Sequence, residues 1–264
     1  HIEQMWYYSK REVEAGGKLA LDSWKDPALF RHVQKKFKQR ENSLISSTKK
    51  SFTAYCKAYQ EYMPALALIF LLEKPTETAL RNALSQALPL TKVEVLMSEL
   101  NVPLQNNFYR QEEYELVHTK NLPGHVRKYA WILARYGEER KYTLEDVQKK
   151  LKEINKKQFL KEWRASKQKI RKTVAHAKKL LRKQGYLVDI FQYIIYYRTQ
   201  RTDIMNKSSY LAIPLLKKTA QSLGLSYQQL LYCCASEVVE KRIPLQEILN
   251  HRIKDSSTLL EKGK

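Results

Sequence analysis

The chain has 264 residues, and its 48 Lys and Arg against 27 Asp and Glu give a formal net charge of +21. Hydrophobic residues make up 43% and aromatic residues 11%, which is typical of a folded protein and excludes a disordered one. With only 7 Gly and 8 Pro, the composition argues against a glycine-rich nucleotide-binding fold and against a β-sandwich.

The N-terminal third predicts helices separated by prolines. Asp26 is the expected N-cap of the first clear helix, with Pro27 at its first position. The next helix spans Ser43 to Lys74, where Pro64 should kink or restart it. A separate, shorter helix is expected after Pro75. The longest apolar run here has eight residues, too few for the roughly 20 that cross a bilayer, so it predicts a buried helix and no membrane span.

Capping boxes mark two further helix starts, Thr91 with Glu94 and Thr143 with Asp146. Between Lys149 and Lys183 there are 15 Lys and Arg against two Glu. This segment predicts a long amphipathic helix, because apolar residues recur on one face while most lysines lie on the others. The apolar stripe, which Lys167 alone interrupts, is Trp163, Ile170, Val174, Ala177 and Leu181.

One more helix carries arginines in an apolar stripe. Residues spaced four and three apart lie on one face of a helix. Here that face comprises Leu187, Phe191, Ile194, Arg198, Arg201 and Met205. The helix should end near Gly224, and Ser226 should cap the next one. The sequence therefore predicts an all-α, elongated domain.

The domain organisation is less strongly marked, because no long Gly, Ser or Pro linker is present. We expect one helical domain over residues 1–264, with subdomains 1–140 and 141–264 as the alternative division. Because the chain begins with His1 and not Met, we expect it to be cut from a longer polypeptide. Three cysteines without disulfide or zinc spacing favour a cytoplasmic location.

Arg198 and Arg201, flanked by Tyr197, are the first candidate binding residues. One interpretation is that each guanidinium reaches a carboxylate on a neighbouring helix while its stem packs. The other is an anion clamp for a phosphate or carboxylate, which the guanidinium fork suits.

His125 and Tyr129, one helical turn apart, are the second candidate pair. They either bind a ligand and shuttle a proton or form hydrogen bonds between helices. We expect no metal site, because no histidine pair has ligand spacing. The sequence contains no P-loop, dinucleotide fingerprint or serine nucleophile elbow, so no residue is predicted to be catalytic.

Two stretches resemble phosphoenolpyruvate synthase-like phosphotransferases, a group that includes the rifampicin phosphotransferases. The first is "HVRKYAWILARYG" followed by "YTLEDVQKKL". The second, more specific, is "YLVDIFQYIIYYRTQRTDIMNKSSYLAIPLLKKTAQSLGLSYQQLLYCCASEVVE", which is similar to the helical segment before the mobile phosphohistidine domain.

The resemblance implies a helical middle or substrate-side domain of a kinase-like or dikinase-like enzyme. ATP and magnesium would be bound by the parent enzyme, whose ATP-grasp and phosphohistidine domains would be the partners of this chain. A swivelling phosphohistidine or an anionic small-molecule acceptor would then meet Arg198 and Arg201. The chain departs from complete enzymes, since it lacks the "TSH" stretch of the carrier histidine and any ATP-grasp signature. The alternative is a non-catalytic basic helical module that binds nucleic acid.

Overall fold

The chain folds into α-helices. The computed structural model describes residues 10–134 and 139–255, and no strand occurs among them, so the all-α prediction is confirmed. In chain order the helices are α1 (Lys10–Trp24), α2 (Pro27–Ser47), α3 (Phe52–Ser85), α4 (Leu90–Leu100), α5 (Phe108–Leu116), α6 (Leu122–Tyr129), α7 (Leu144–Glu153), α8 (Lys156–Leu181), α9 (Tyr186–Ser222), α10 (Tyr227–Leu231), α11 (Ala235–Val239) and α12 (Gln246–Asp255).

Side-chain caps set several of these helix starts. The Asp26 carboxylate accepts a hydrogen bond from the Ala28 amide at 2.8 Å, as predicted. Thr143 and Asp146 form the predicted capping box of α7. The box predicted at Thr91 is wrong, because α4 already begins at Leu90 behind Pro89, so the Thr91 side chain lies inside the first turn.

The separate helix predicted after Pro75 is also wrong, because α3 runs without a break through Pro64 and Pro75. Each internal proline removes one backbone hydrogen bond, which costs roughly 3 kcal/mol in a helix. Burial on both sides of Pro75 offsets that loss, since Leu72 and Leu80 are fully buried. Tertiary packing therefore holds α3 together where its local sequence would end it.

The central helix is α9, which packs against α2, α3, α8 and α10. Ile190 and Ile194 of α9 are fully buried. Together with apolar residues from α1 to α4 and α8 to α12, they form the main hydrophobic cluster. The stripe predicted for α8 faces this cluster from Ile170 onward. Gly224 follows α9 with a φ of +70°, the left-handed conformation expected at a helix end.

A smaller hydrophobic cluster connects α5, α6 and α7. Its buried members are Leu116, Tyr129, Ile132, Tyr142 and Val147. Residue 140, the suggested subdomain boundary, lies between members of this cluster. Residues 135–138, which include the last three of "HVRKYAWILARYG", are outside the described residues. In the described part of the chain, no helix is long and apolar enough to cross a membrane.

The prolines of α3 also shape its contact with α1. Pro75 has no N–H to donate to the Leu71 carbonyl, and Gly17 of α1 lies against this carbonyl. A Cβ at Gly17 would collide with the Leu71 oxygen and lie 2.7 Å from the Pro75 ring. The close packing of the two helices at this point therefore requires glycine.

We expect Gly17→Ala to lower the free energy of unfolding by about 1–3 kcal/mol, because the methyl group forces the two helices apart. Gly16→Ala is the matched control, since its Cβ would meet nothing nearer than Leu71 Cδ1 at 4.0 Å. Alanine there should stabilise α1 by roughly 0.5–1 kcal/mol. Urea denaturation followed by circular dichroism measures both, and equal stability of the two variants would contradict the close approach.

Candidate functional site

The five predicted site residues fall into two groups. Tyr197 belongs to the main cluster, and Tyr129 belongs to the small one. Arg198 and Arg201 accompany Tyr197 on α9, whereas His125 accompanies Tyr129 on α6. The structure thus presents two candidate sites.

Arg198 forms the ion pair that one interpretation of the sequence expected. Its Nη1 donates to Glu73 Oε1 on α3 at 2.6 Å, and the Arg198 side chain stays 43% exposed. The pair lies in a groove of about 340 Å³ between α3, α4 and α9. Arg81 also lines this groove and pairs with Glu77 and Glu94.

The charges of this groove oppose an anion. Three carboxylates line it, from Glu73, Glu77 and Glu94, against the guanidinium groups of Arg81 and Arg198. Both arginines are already paired, so an incoming phosphate has to displace a carboxylate. The groove is therefore closer to neutral than an anion clamp requires.

Arg201 is buried, and carbonyl groups rather than a carboxylate hold it. Its Nη1 donates to the Leu66 carbonyl at 3.0 Å and its Nε to the Arg198 carbonyl at 3.1 Å. The guanidinium lies 3.7 Å from the centre of the Phe70 ring. Burial lowers the pKa of Arg201, and the charge of Glu73 opposes that shift. The side chain fastens α9 to α3.

Tyr197 is 2% exposed and lies between two aromatic rings. The ring of Phe37 is 5.1 Å away and that of Tyr193 is stacked at 5.3 Å. Its hydroxyl lies beside that of Tyr62, without a hydrogen bond of ordinary geometry in the described residues. Tyr62 donates instead to the Arg201 carbonyl at 3.3 Å. Tyr197 is thus inaccessible to a ligand in this conformation.

A buried carboxylate lies close to these tyrosines. Glu41 of α2 is 2% exposed, and its Oε2 accepts from Lys38 Nζ at 2.9 Å. Burial, and in addition the charge of Glu41, raises the pKa values of four tyrosines, and that of Tyr196 reaches about 12. These tyrosines, which we call the tyrosine cluster, are Tyr62, Tyr193, Tyr196 and Tyr197.

The second candidate site surrounds Glu112 of α5, whose side chain is fully buried. Glu112 Oε1 accepts from the Tyr142 hydroxyl at 2.8 Å and lies 3.0 Å from His125 Nε2. Its Oε2 accepts from Lys150 Nζ at 2.5 Å. These four residues form the Glu112 network, which fastens α5 to α6 and α7.

Tyr129 flanks this network, with its ring 4.9 Å from that of His125. Burial raises the pKa of Tyr129, and the charges of Glu115 and Glu112 add to the effect. Burial also raises the pKa of Tyr142, together with its hydrogen bond to Glu112. Both phenols therefore stay protonated at neutral pH. His125 of α6 contacts Glu112 of α5, as expected of a residue that forms hydrogen bonds between helices.

The sequence prediction missed Glu112, although its signal is present. Phe108, Glu112 and Leu116 are four apart, so the carboxylate interrupts an apolar helical stripe just as Arg201 does. The partners Tyr142 and Lys150 lie 30 and 38 residues further along the chain. The spacing of residues within one helix does not predict contacts between residues so far apart in the sequence.

Two further features of the described residues are the arrangement of possible metal ligands and the surroundings of the thiols. No group of three or more His, Cys, Asp or Glu among them is arranged to hold a metal ion. Burial raises the pKa of Cys56 to about 11 and also raises that of Cys233, so both thiols are protonated at neutral pH. A reactive cysteine requires the opposite shift.

Comparisons with known proteins add no function. No family model matches the chain, and neither does any curated protein or solved structure. A functional assignment therefore depends on the residues and contacts of this chain.

We expect Glu112→Gln to lower the free energy of unfolding by about 2–3 kcal/mol, because the amide leaves the charge of Lys150 without its closest partner. The matched control is Glu113→Gln, since Glu113 lies next in sequence but is about a third exposed and 3.7 Å from Lys150. A surface pair of this kind contributes less than about 1 kcal/mol. Thermal unfolding compares the two variants, and equal losses would contradict a structural role for the Glu112 network.

Because of the tyrosine cluster, we expect the free energy of unfolding to fall at alkaline pH. The pKa values of the cluster are raised in the folded state, whereas unfolded tyrosine ionises near pH 10. The contribution of these protonated phenols to the free energy of unfolding is complete below about pH 10. It is lost as the pH rises further, because the unfolded chain then releases protons that the folded chain retains. Absorbance at 295 nm should show these phenols ionising only with unfolding. Ionisation of every tyrosine near pH 10 in a folded protein would be inconsistent with this account.

Proposed function

We propose that this chain is the helical middle domain of a phosphoenolpyruvate synthase-like phosphotransferase. In this role it connects an ATP-grasp domain to a swivelling phosphohistidine domain and lies beside the acceptor. ATP and magnesium belong to the neighbouring domains in this proposal. The chain supplies position and charge, on which phosphoryl transfer largely depends.

One observation carries the proposal. The longer resembling stretch, residues 186–240, comprises the central helix α9 and the short helices α10 and α11. Polar groups buried in α9 are held by the backbone of neighbouring helices, for example Arg201 by Leu66 and Gln192 by Leu100. A frame fixed in this way is suited to positioning mobile domains, because catalytic geometry tolerates little displacement.

The charge of the chain agrees with an anionic partner. The exposed face of α8 carries many of the lysines that make the chain basic. A phosphorylated histidine domain is attracted to such a surface, and the attraction accelerates encounter more than it strengthens binding. Of the two predicted arginines, Arg198 is the one whose side chain reaches a groove, whereas Arg201 has a structural role in the proposal.

The test uses the full polypeptide encoded by the reading frame that contains this chain. We expect an ATP-grasp region and a "TSH"-type histidine domain in that frame. Transfer of the labelled phosphoryl group from ATP to the histidine, and then to the acceptor, is measured alongside melting temperature. Arg198→Ala should slow acceptor-dependent turnover with a small change in melting temperature, because an acceptor that displaces Glu73 would lose its guanidinium partner. Arg201→Ala should lower the melting temperature by several degrees.

Two results would overturn the proposal. One is a reading frame without either catalytic region. The other is phosphoryl transfer that does not depend on this domain, seen as an unchanged rate when Arg198 is replaced and when the domain is removed. We would then favour the alternative that the chain binds nucleic acid. Such binding should weaken steeply as the salt concentration rises.

A further inference from the structure

A second groove, between the C-terminal end of α5 and the N-terminal half of α8, has a different chemistry from that at Arg198. Its volume is about 520 Å³. The residues that decide its character are Tyr114, His118, Trp163, Arg164, Lys167 and Arg171. None of its lining residues is acidic, and we call it the basic aromatic groove.

Flat rings form one side of the basic aromatic groove. Tyr114 stacks on Trp163 with ring centres 5.1 Å apart, and His118 lies 4.4 Å from Tyr114. Tyr114 and Trp163 are only partly buried, and His118 is exposed. Tyr114 already contacts the rings of both Trp163 and His118, and Trp163 also contacts the ring of Phe159 at 5.7 Å. A planar partner can therefore meet the row at the exposed ring of His118 and at the partly exposed edges of Tyr114 and Trp163, and stacking favours a nucleobase by about 1–3 kcal/mol.

Cations without carboxylate partners form the other side. Among the described residues, no ion pair involves Arg164, Lys167 or Arg171. Lys167 Nζ donates to the Leu104 carbonyl at 2.6 Å, which fixes its amine without neutralising it. Burial lowers the pKa of Lys167, and the charges of Arg171 and Arg110 lower it further. A bound anion would relieve this repulsion.

The contrast with the Arg198 groove narrows the class of ligand. There three carboxylates face two arginines, whereas here three cations face none. The Asp and Glu side chains of an acidic peptide would satisfy the cations but present no ring to the aromatic side. A ligand with both a flat ring and a phosphate uses the two sides at once.

We propose that the basic aromatic groove binds a nucleotide. The base packs on the rings of Tyr114, His118 and Trp163, and the phosphate is held by Arg164, Lys167 and Arg171. The volume lies within the roughly 300–1,000 Å³ of small-molecule sites. The nucleotide is either a free mononucleotide or one unit of a single strand. This proposal does not depend on the function proposed above.

Titration calorimetry on the whole chain tests the proposal with four probes. AMP has both the base and the phosphate. Adenosine has the base without the phosphate, and ribose 5-phosphate has the phosphate without the base. A strand of ten deoxyadenosine nucleotides contains the base and the phosphate in every unit. We expect AMP to bind at least about tenfold more tightly than adenosine or ribose 5-phosphate, because each lacks one side of the interaction. Equal affinity for AMP and ribose 5-phosphate would overturn the proposal.

Variants locate the binding on the chain. Arg171→Gln should weaken AMP binding by about fivefold to tenfold, since it removes a phosphate contact. The control is Lys172→Gln, the same change of charge at the exposed neighbour that does not line the groove. Equal effects of these two variants would show unspecific attraction and overturn the site.

Trp163→Leu should also weaken AMP binding about tenfold. Because that variant risks misfolding, the exposed double variant Arg164→Gln with Arg171→Gln provides the second measurement.

The strand distinguishes the two sources of the nucleotide. If its affinity exceeds that of AMP by more than the roughly tenfold expected from ten equivalent units, and falls steeply with salt, the ligand is a single strand. If its affinity per nucleotide equals that of AMP, the ligand is a free nucleotide. If neither the strand nor AMP binds, the proposal is wrong whatever the fate of the phosphotransferase assignment.

Discussion

The structure depends on hydrogen bonds to the charged groups that are buried inside a helical bundle. The central helix α9 carries Gln192, Gln200, Arg201 and Asp203, all almost completely buried. An unpaired buried charge is strongly destabilising, so each buried charge requires a partner, either on a neighbouring helix or on the backbone of its own helix. Arg201 meets this requirement through the carbonyls of Leu66 and Arg198. This requirement fixes how α9 and α3 pack, and the rest of the main bundle assembles around that pair.

The small cluster also contains a buried charge that requires partners, and this charge is negative. There the buried charge is the carboxylate of Glu112, and its partners come from α6, α7 and the segment before α7. Both buried charges therefore act as fasteners between helices. Other ionic groups remain accessible, among them Arg198 in its groove and the cations on the exposed faces of α8, where cations outnumber carboxylates. The buried charges thus hold the helices together, and the ligand sites that we propose use exposed charges.

Contacts distant in sequence account for what the sequence analysis missed. Pro75 locally indicates the end of a helix, yet burial of Leu72 and Leu80 carries α3 past it. The cap predicted at Thr91 is an exception with a local cause, because Pro89 already occupies the N-cap position of α4. Glu112, the residue that organises the small cluster, was overlooked because Lys150 lies 38 positions away. For the same reason, the stacking of Tyr114 on Trp163 has no local signal.

The sequence by itself determined the helical class, the caps at Asp26 and Thr143, the end of α9 near Gly224 and the buried stripe of α8 from Ile170 onward. These follow from periodicity and local hydrogen bonding, which act within one or two turns. The tertiary structure alone decided which of two similar arginines is buried, because Arg198 points to Glu73 at a groove and Arg201 points to backbone between helices. Helical spacing indicates which face of a helix a residue lies on, but the partner of its side chain is set by packing between distant segments.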